Sequence, residues 1–501
     1  MDKEDEKDTT ISSLRSITRG ASLYTVGKVV SDAGEFLLHL LVSRILGAGP
    51  YGLFAYGKTL AFMGLLLTNL GADKSILRYI PKHDDEPETQ RFYLALAWLT
   101  SFVGAAVVSG IIIITAPYIA SVTLDEPEFA RLLQLFAVVL FVDTLANLLY
   151  ATFRAVEVIE YEVATKRLLL PVLRVLLVGS ALLVGASVFG VVVALVLASI
   201  LTLVVAVVLL VTRLDIHPQI RSSAADKQRV KQYYNYSLPL TAKEAGTAMQ
   251  GRIDVLIVGL FFSSAAVGIY NVSVLIAGIL YIPLLAFNQL FPPVASRLYS
   301  NNDRKELATI YSAITRWIFT ISLPIALIIT VYRTELLSLF GPEFTAGTAI
   351  LAVFVFAQLC NCLTGPSGYL LMMTDHQYVV MINEWVFGIA NIILNILFLY
   401  VFGLIGAALA SAAVLAVRNI TKVSEVYYFE QLQPYSRSFI RPILAGIPAA
   451  VVMMLLQAFL PTVWSLIIGI PLGVGLFVLG LYTAGISSVD RQLYRQLRNS
   501  G

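Results

Sequence analysis

The feature that most constrains this chain is a succession of apolar runs, each about 20 residues long, with little sequence between them. The runs fall near 22–46, 51–71, 92–120, 132–153, 168–186, 188–210, 237–262, 267–291, 310–331, 349–373, 379–402, 404–427, 439–460 and 463–486. As a helix, a run of this length covers roughly the 30 Å of bilayer hydrocarbon. Hydrocarbon offers the backbone no hydrogen bonds, so a spanning segment of this kind has to be helical. The predicted fold is an all-α polytopic membrane protein with about 14 transmembrane helices.

Composition agrees. Of 501 residues, 58% are hydrophobic and only 13% are charged, against about 25% charged in a soluble domain. The formal charge of +3 is too small to suggest nucleic acid as a partner. No long loop offers room for a soluble catalytic domain, so no enzymatic activity and no catalytic residues are expected. A GxxxxGK[ST] phosphate loop is absent, which argues against ATP-driven pumping by this chain. His39, His83, His217 and His376 have no metal-ligand spacing with Cys360 and Cys362, so no metal is expected either.

The loops set an expected orientation. Lys74, Arg78, Lys82, Arg91, Lys166, Arg167, Arg213, Lys227, Arg229, Arg297, Arg304 and Lys305 fall in alternate loops, together with the N-terminal Lys3, Lys7, Arg15 and Arg19. The opposite set holds only Arg44, Arg131 and Arg333. Basic loops stay in the cytoplasm. Both termini are therefore expected there, in a multi-pass protein of the cell membrane. The expected division is an N-terminal lobe of six helices at 1–212, a cytoplasmic linker at 213–236 and a C-terminal lobe of six helices at 237–430. A terminal helix pair with a cytoplasmic tail takes 431–501.

The lobes are expected to be pseudo-symmetric because polar rows repeat between them. The first helix carries Lys28, Asp32, Glu35 and His39 at i, i+4, i+7 and i+11, one helical face. The seventh carries Lys243, Thr247, Gln250 and Asp254 at the same spacing, 215 residues on (28 to 243, 39 to 254). Gly52-Leu53-Phe54 is likewise similar to Gly268-Ile269-Tyr270. A third row, Asp143, Asn147, Tyr150 and Arg154, lies on the fourth helix. Lys58, Arg174, Glu244, Arg252 and Glu384 are further charges within apolar runs.

Such rows have two readings. They can be local salt bridges and helix-to-helix contacts, or they can line a water-filled cavity between two lobes. One charge at mid-bilayer costs about 2.5–3.5 kcal/mol. Pairing of Lys28 with Asp32 offsets part of that cost. It leaves the continuation through Glu35 to His39 unexplained, which favours the cavity.

Three stretches carry a resemblance. Val42-Ser43-Arg44-Ile45-Leu46-Gly47 through Tyr51-Gly52-Leu53-Phe54, then Leu70-Gly71-Ala72 to Arg78-Tyr79-Ile80, resembles the first hairpin of the polysaccharide-biosynthesis flippases. These belong to the multidrug/oligosaccharidyl-lipid/polysaccharide exporter superfamily. Arg252-Ile253-Asp254-Val255-Leu256-Ile257-Val258-Gly259 with Val267-Gly268-Ile269-Tyr270 resembles their seventh and eighth helices. Asn391, Asn395 and Gly403-Leu404-Ile405-Gly406-Ala407-Ala408-Leu409-Ala410 resemble the turn from the eleventh to the twelfth.

The resemblance implies alternating-access transfer of a polyprenyl-phosphate- or pyrophosphate-linked oligosaccharide from the cytoplasmic to the outer leaflet. The implied partners are this lipid-linked glycan, membrane lipid, and glycosyltransferases with a downstream polymerase or oligosaccharyltransferase. On that basis Lys28 and Lys243 are expected to grip the phosphate, with Lys58 and Arg174 assisting. Asp32, Glu35, His39, Asp143, Asn147, Gln250 and Asp254 are the expected coupling or cavity groups. No cofactor is expected, and Na+ or H+ is the open choice of coupling ion. Two alternatives stand beside this: a cation-coupled multidrug extruder of the same superfamily, and a non-transporting membrane assembly subunit.

Overall fold

A computed structural model describes residues 3–124, 126–213 and 226–484, and their side chains except at 3–23 and 247–250. The described residues contain helices and no strand. They divide into two compact units, with the break between Gly268 and Ile269.

The first unit contains α1 (Lys3–Leu46), α2 (Ala48–Thr68), α3 (Ala72–Lys82), α4 (Pro87–Val122) and α5 (Pro127–Ala155). It continues with α6 (Ile159–Glu162), a π-helical turn (Val163–Leu169), α7 (Leu170–Leu183), α8 (Val188–Arg213) and α9 (Lys227–Phe261). Its last element is the first turn of α10 (Ser264–Gly278). The second unit holds the rest of α10 with α11 (Tyr281–Ser300), α12 (Arg304–Val331), α13 (Arg333–Phe340) and α14 (Thr348–Thr364). It ends with α15 (Ser367–Met373), α16 (Gln377–Phe402), α17 (Leu404–Glu430), α18 (Ile440–Phe459) and α19 (Thr462–Thr483).

The described residues of the apolar runs fall on helices, with two runs broken: 267–291 between α10 and α11, which are bent by 50°, and 349–373 between α14 and α15. Among the described residues, 10 helices are long and apolar enough to cross a membrane, or 11 when the bent pair α10 and α11 is one span. The remaining runs lie on α1 and α9, which carry many charges, and on α7, which is 14 residues long and continues from the π turn. About 14 spans therefore remains an approximate count. Of the expected linker at 213–236, residues 214–225 lie outside the described residues, and 227–236 already belong to α9. Asp226 starts that helix early, because its side chain accepts from Gln228 N at 3.2 Å and caps the first turn.

In the first unit α5 is the central post, packed against α2, α3, α4 and α8. Leu149, Phe153, Ala206 and Leu210 fill its seam with α8. In the second unit α12 packs on α11, α14 and α18, with Phe319, Leu323, Tyr332 and Met453 between them. The outward faces are apolar. On α4, Ile111, Ile114 and Tyr118 form one ridge at i, i+3 and i+7 and are 55%, 80% and 71% exposed. Water would penalise such a ridge and lipid does not, so the chain is a multi-pass membrane protein.

The two repeat-related glycines meet. A Cβ at Gly52 on α2 would overlap the Ser264 carbonyl and stand 3.1 Å from Gly268 N. A Cβ at Gly268 would overlap the Ala48 carbonyl and stand 3.3 Å from Gly52 N. The contact is reciprocal and backbone to backbone, and glycine alone permits it. Gly52→Ala and Gly268→Ala are each expected to cost about 1–3 kcal/mol through overpacking. Both should lower the thermal unfolding midpoint of the detergent-solubilised protein. Gly110→Ala, which has nothing within 4 Å of the added methyl, should not lower it.

Candidate functional site: a charged cavity in the first unit

The charged groups of the first unit are held by helices in close contact. α1 lies on the π turn and α7 through two small residues seven apart. A Cβ at Gly27 would stand 2.8 Å from Val163 Cγ1, and one at Gly34 would stand 2.9 Å from Pro171 Cβ. Small residues let membrane helices approach this closely. The seam places Glu35 and Leu38 of α1 beside Lys166 and Arg174, and together they line a small pocket.

Lys58 on α2 reaches back to α1. Its ammonium donates to Glu35 Oε1 and stands 3.2 Å from His39 Nε2. His39 is 7% exposed, and its Nδ1 is 2.9 Å from the Tyr51 hydroxyl. Glu35, His39, Tyr51 and Lys58 thus form one polar chain between α1 and α2. On α5, Asp143 accepts from Arg174 Nη2 of α7 at 3.0 Å. Ser199 of α8 accepts from the same nitrogen at 3.4 Å. Asn147, one turn on, accepts from Lys166 Nζ at 2.9 Å.

Lys58, Asp143, Asn147, Tyr150, Lys166 and Arg174 line a cavity of about 340 Å³, whose other walls include Phe62, Phe136, Leu140 and Leu195. Three basic side chains face Asp143 in the lining and Glu35 beside it, a formal surplus of one positive charge. Its apolar walls strengthen every charge interaction inside it.

The sequence-derived residues are not brought to one place. Lys58, Arg174, Asp143 and Asn147 share the cavity, and Glu35 and His39 join it through Lys58. Lys28 and Asp32 do not reach it. They pair with each other one turn apart at 2.9 Å, with side chains 30% and 55% exposed, which is the local salt bridge. Lys243 lines a different and larger pocket of about 700 Å³ with Phe62, Lys74, Glu244 and Arg252. There Lys74 bridges Asp73 and Glu244, at 3.0 Å each. α9 presents Arg252 to that pocket, while Asp254 is 6% exposed and its Oδ1 accepts from Val255 N. The Gln250 side chain lies outside the described residues. In the second unit, Glu384 accepts from Lys422 at 2.8 Å, a pair between α16 and α17.

Lys166 was expected as a loop residue. The π turn carries the helix back through it, and 166, 170 and 174 then line one cavity wall. The spacing i, i+4, i+8 was visible in the sequence, but the helix start was not.

The fold is shared with solved transporters. The lipid II flippase MurJ in its inward closed conformation superposes with a TM-score of 0.74 at 14% identity, over 91% of this chain and 97% of that one. An inward-facing multidrug resistance MATE family transporter of the MOP superfamily gives 0.67 at 14% identity, over 82% and 98%. Fold and site together define a polytopic helical membrane protein of the MurJ and MATE architecture, with a charged cavity in its first unit.

A family profile described as "Polysaccharide biosynthesis protein" matches residues 41–346, and the chain belongs to that family. This agrees with the resemblance carried by the first hairpin and by α9 with α10. Among its relatives, the probable low-salt glycan biosynthesis flippase Agl15 of Haloferax volcanii is 23% identical over 194 residues, 38% of this chain and 41% of that protein. The probable flippase AglR of the same organism is 27% identical over 49% of this chain and 52% of its own. The chain thus spans about half or less of these two relatives. An uncharacterized membrane protein of Methanocaldococcus jannaschii is 20% identical over 94% of this chain and 96% of its own.

The ion pairs differ in what they are worth. Arg174 and Asp143 are 18% and 22% exposed, and losing one partner of a buried pair costs about 3–5 kcal/mol. The Lys28–Asp32 pair is open, and such pairs are worth about 0–1 kcal/mol. Asp143→Leu should therefore lower the unfolding midpoint far more than Asp32→Leu. The double substitution Asp143→Leu with Arg174→Met should recover most of the loss.

Proposed function

We propose that this protein is a flippase for a polyprenyl-phosphate- or pyrophosphate-linked oligosaccharide. It turns this cargo from the cytoplasmic to the outer leaflet by alternating access, for assembly of a surface glycan or glycoprotein. The observation that carries the reading is the cavity of the first unit, which is net positive, apolar-walled and edged with hydrogen-bonding groups. The cargo has matching parts: an anionic linkage, sugar hydroxyls and a lipid tail that remains in hydrocarbon. Family membership and the names of the Haloferax volcanii relatives point the same way.

On this reading the cations of the cavity counter the phosphate, while Asn147 and Tyr150 meet hydroxyls. No bond is made or broken, so the protein is no enzyme and needs no cofactor. Na+ or H+ drives the cycle by exchanging at Glu35 or Asp143, whose carboxylates each release a cation when neutralised. The membrane-bound glycosyltransferases act before it, and a polymerase or oligosaccharyltransferase acts after it. A multidrug extruder for organic cations would be served poorly by a cavity with surplus positive charge.

The test uses a strain that lacks the chromosomal copy and expresses variants at equal levels. Lys58→Ala with Arg174→Ala should lower surface glycan roughly tenfold or more, as loss of charge-assisted contacts implies, and lipid-linked glycan should accumulate on the cytoplasmic side. Lys58→Arg should retain most export. Normal surface glycan in the deletion strain would end the proposal. Orientation is checked separately: a fluorescent protein fused after residue 501 should fluoresce, and alkaline phosphatase fused there should be inactive.

A further inference from the structure

The cations of the first unit are not equivalent. Lys28 is held by Asp32, Lys58 by Glu35, Arg174 by Asp143, Arg154 by Glu162, and Lys74 by Asp73 and Glu244. Lys166 differs. Its ammonium donates to the neutral Asn147 amide oxygen at 2.9 Å and lies 5.2 Å from the centre of the Tyr150 ring. Among the described residues, no carboxylate oxygen lies within ion-pair distance of it.

A cation in an apolar-walled cavity without a direct ion pair is costly, and one Asp or Glu in contact would remove that cost; the buried Glu162 acts on Lys166 only from a distance and is itself paired with Arg154. Asn stands where that carboxylate would be. Asn147 supplies a single neutral acceptor that orients Lys166 without forming an ion pair. The neighbouring Tyr150 is 2% exposed, and its hydroxyl has no hydrogen-bond partner among the described residues. Arriving oxygen anions would satisfy both groups.

We propose that Lys166 is the anion-binding residue of the first unit's cavity, with Asn147 as its resting partner. The ligand group is a single oxyanion, either the phosphate of the lipid carrier or the carboxylate of an acidic sugar. This rests on the flippase reading and names the contact within it. Lys28 and Lys243 do not line this cavity.

The experiment is calorimetric titration of the full-length protein in detergent with geranyl phosphate and with glucuronate, using geraniol and glucose as neutral controls. The wild type should bind at least one of the anions and neither neutral control. Lys166→Gln should weaken that binding roughly tenfold or more, and Lys166→Arg should hold it within about threefold. Asn147→Ala removes the competing acceptor, so it should tighten binding of geranyl phosphate, which has no sugar hydroxyl for Asn147 to meet, an effect that a purely structural role of Lys166 does not produce. A loss confined to geranyl phosphate assigns the subsite to the lipid phosphate, and a loss confined to glucuronate assigns it to the glycan. If wild type binds neither anion, or Lys166→Gln binds both as tightly as wild type, the proposal is overturned. The flippase reading fails separately, by normal surface glycan in the deletion strain, whatever the titration gives.

Discussion

Charge placed in hydrocarbon has to bring a counter-charge with it, and the first unit is built around that requirement. The pairs Lys58–Glu35 and Arg174–Asp143 each tie two different helices together, α2 to α1 and α7 to α5. Each pair therefore fixes a helix position as well as a charge. Close packing along the Gly27 and Gly34 seam brings α1 and α7 near enough for the pairs to share one cavity. The polar groups of the cavity would be too costly to bury singly. Together they form a site with a small surplus of positive charge.

The repeated rows have been put to different uses. Lys28 and Lys243 occupy equivalent places in the sequence, yet Lys28 closes on Asp32 within its own helix while Lys243 lines a pocket with Arg252. The row that survives as a lining is the one on α5, where Asp143, Asn147 and Tyr150 all face the cavity. The flanking glycines keep their equivalence better than the charges do. Gly52 and Gly268 contact each other's helices reciprocally. Backbone approach tolerates no substitution, whereas a cation has several ways to find a partner.

Most of the fold was legible because the bilayer dictates it. An apolar run of about 20 residues calls for helix, and the described residues of the runs are helical apart from short breaks, as between α10 and α11 and between α14 and α15. Rotation about the helix axis was less legible. The spacing on α9 puts Arg252 and Asp254 on opposite faces, but it cannot say which face meets the pocket, and the structure turns Arg252 to it. Nor does an i, i+4 pair reveal whether it closes locally, as Lys28 and Asp32 do, or reaches across helices, as Glu35 does to Lys58. Lys166 escaped because basic residues beside an apolar run read as a cytoplasmic flank. The π-helical hydrogen bonding that carries the helix through it leaves no mark on composition.

The π turn at Val163–Leu169 also acts as a gear between two side chains. In an uninterrupted α-helix, residues eight apart end about 80° out of line, since each step turns about 100°. A wider turn advances less per residue, so Lys166 and Arg174 are brought closer to eclipsed than the ordinary helix would leave them. Seven ordinary steps of about 100° end about 20° short of two full turns, so the wide turn lets a spacing of eight do the work of seven. The winding of this short segment therefore works as an alignment setting: at the same length, ordinary winding would have the two cations look past one another, and the wide turn lets them address the same space.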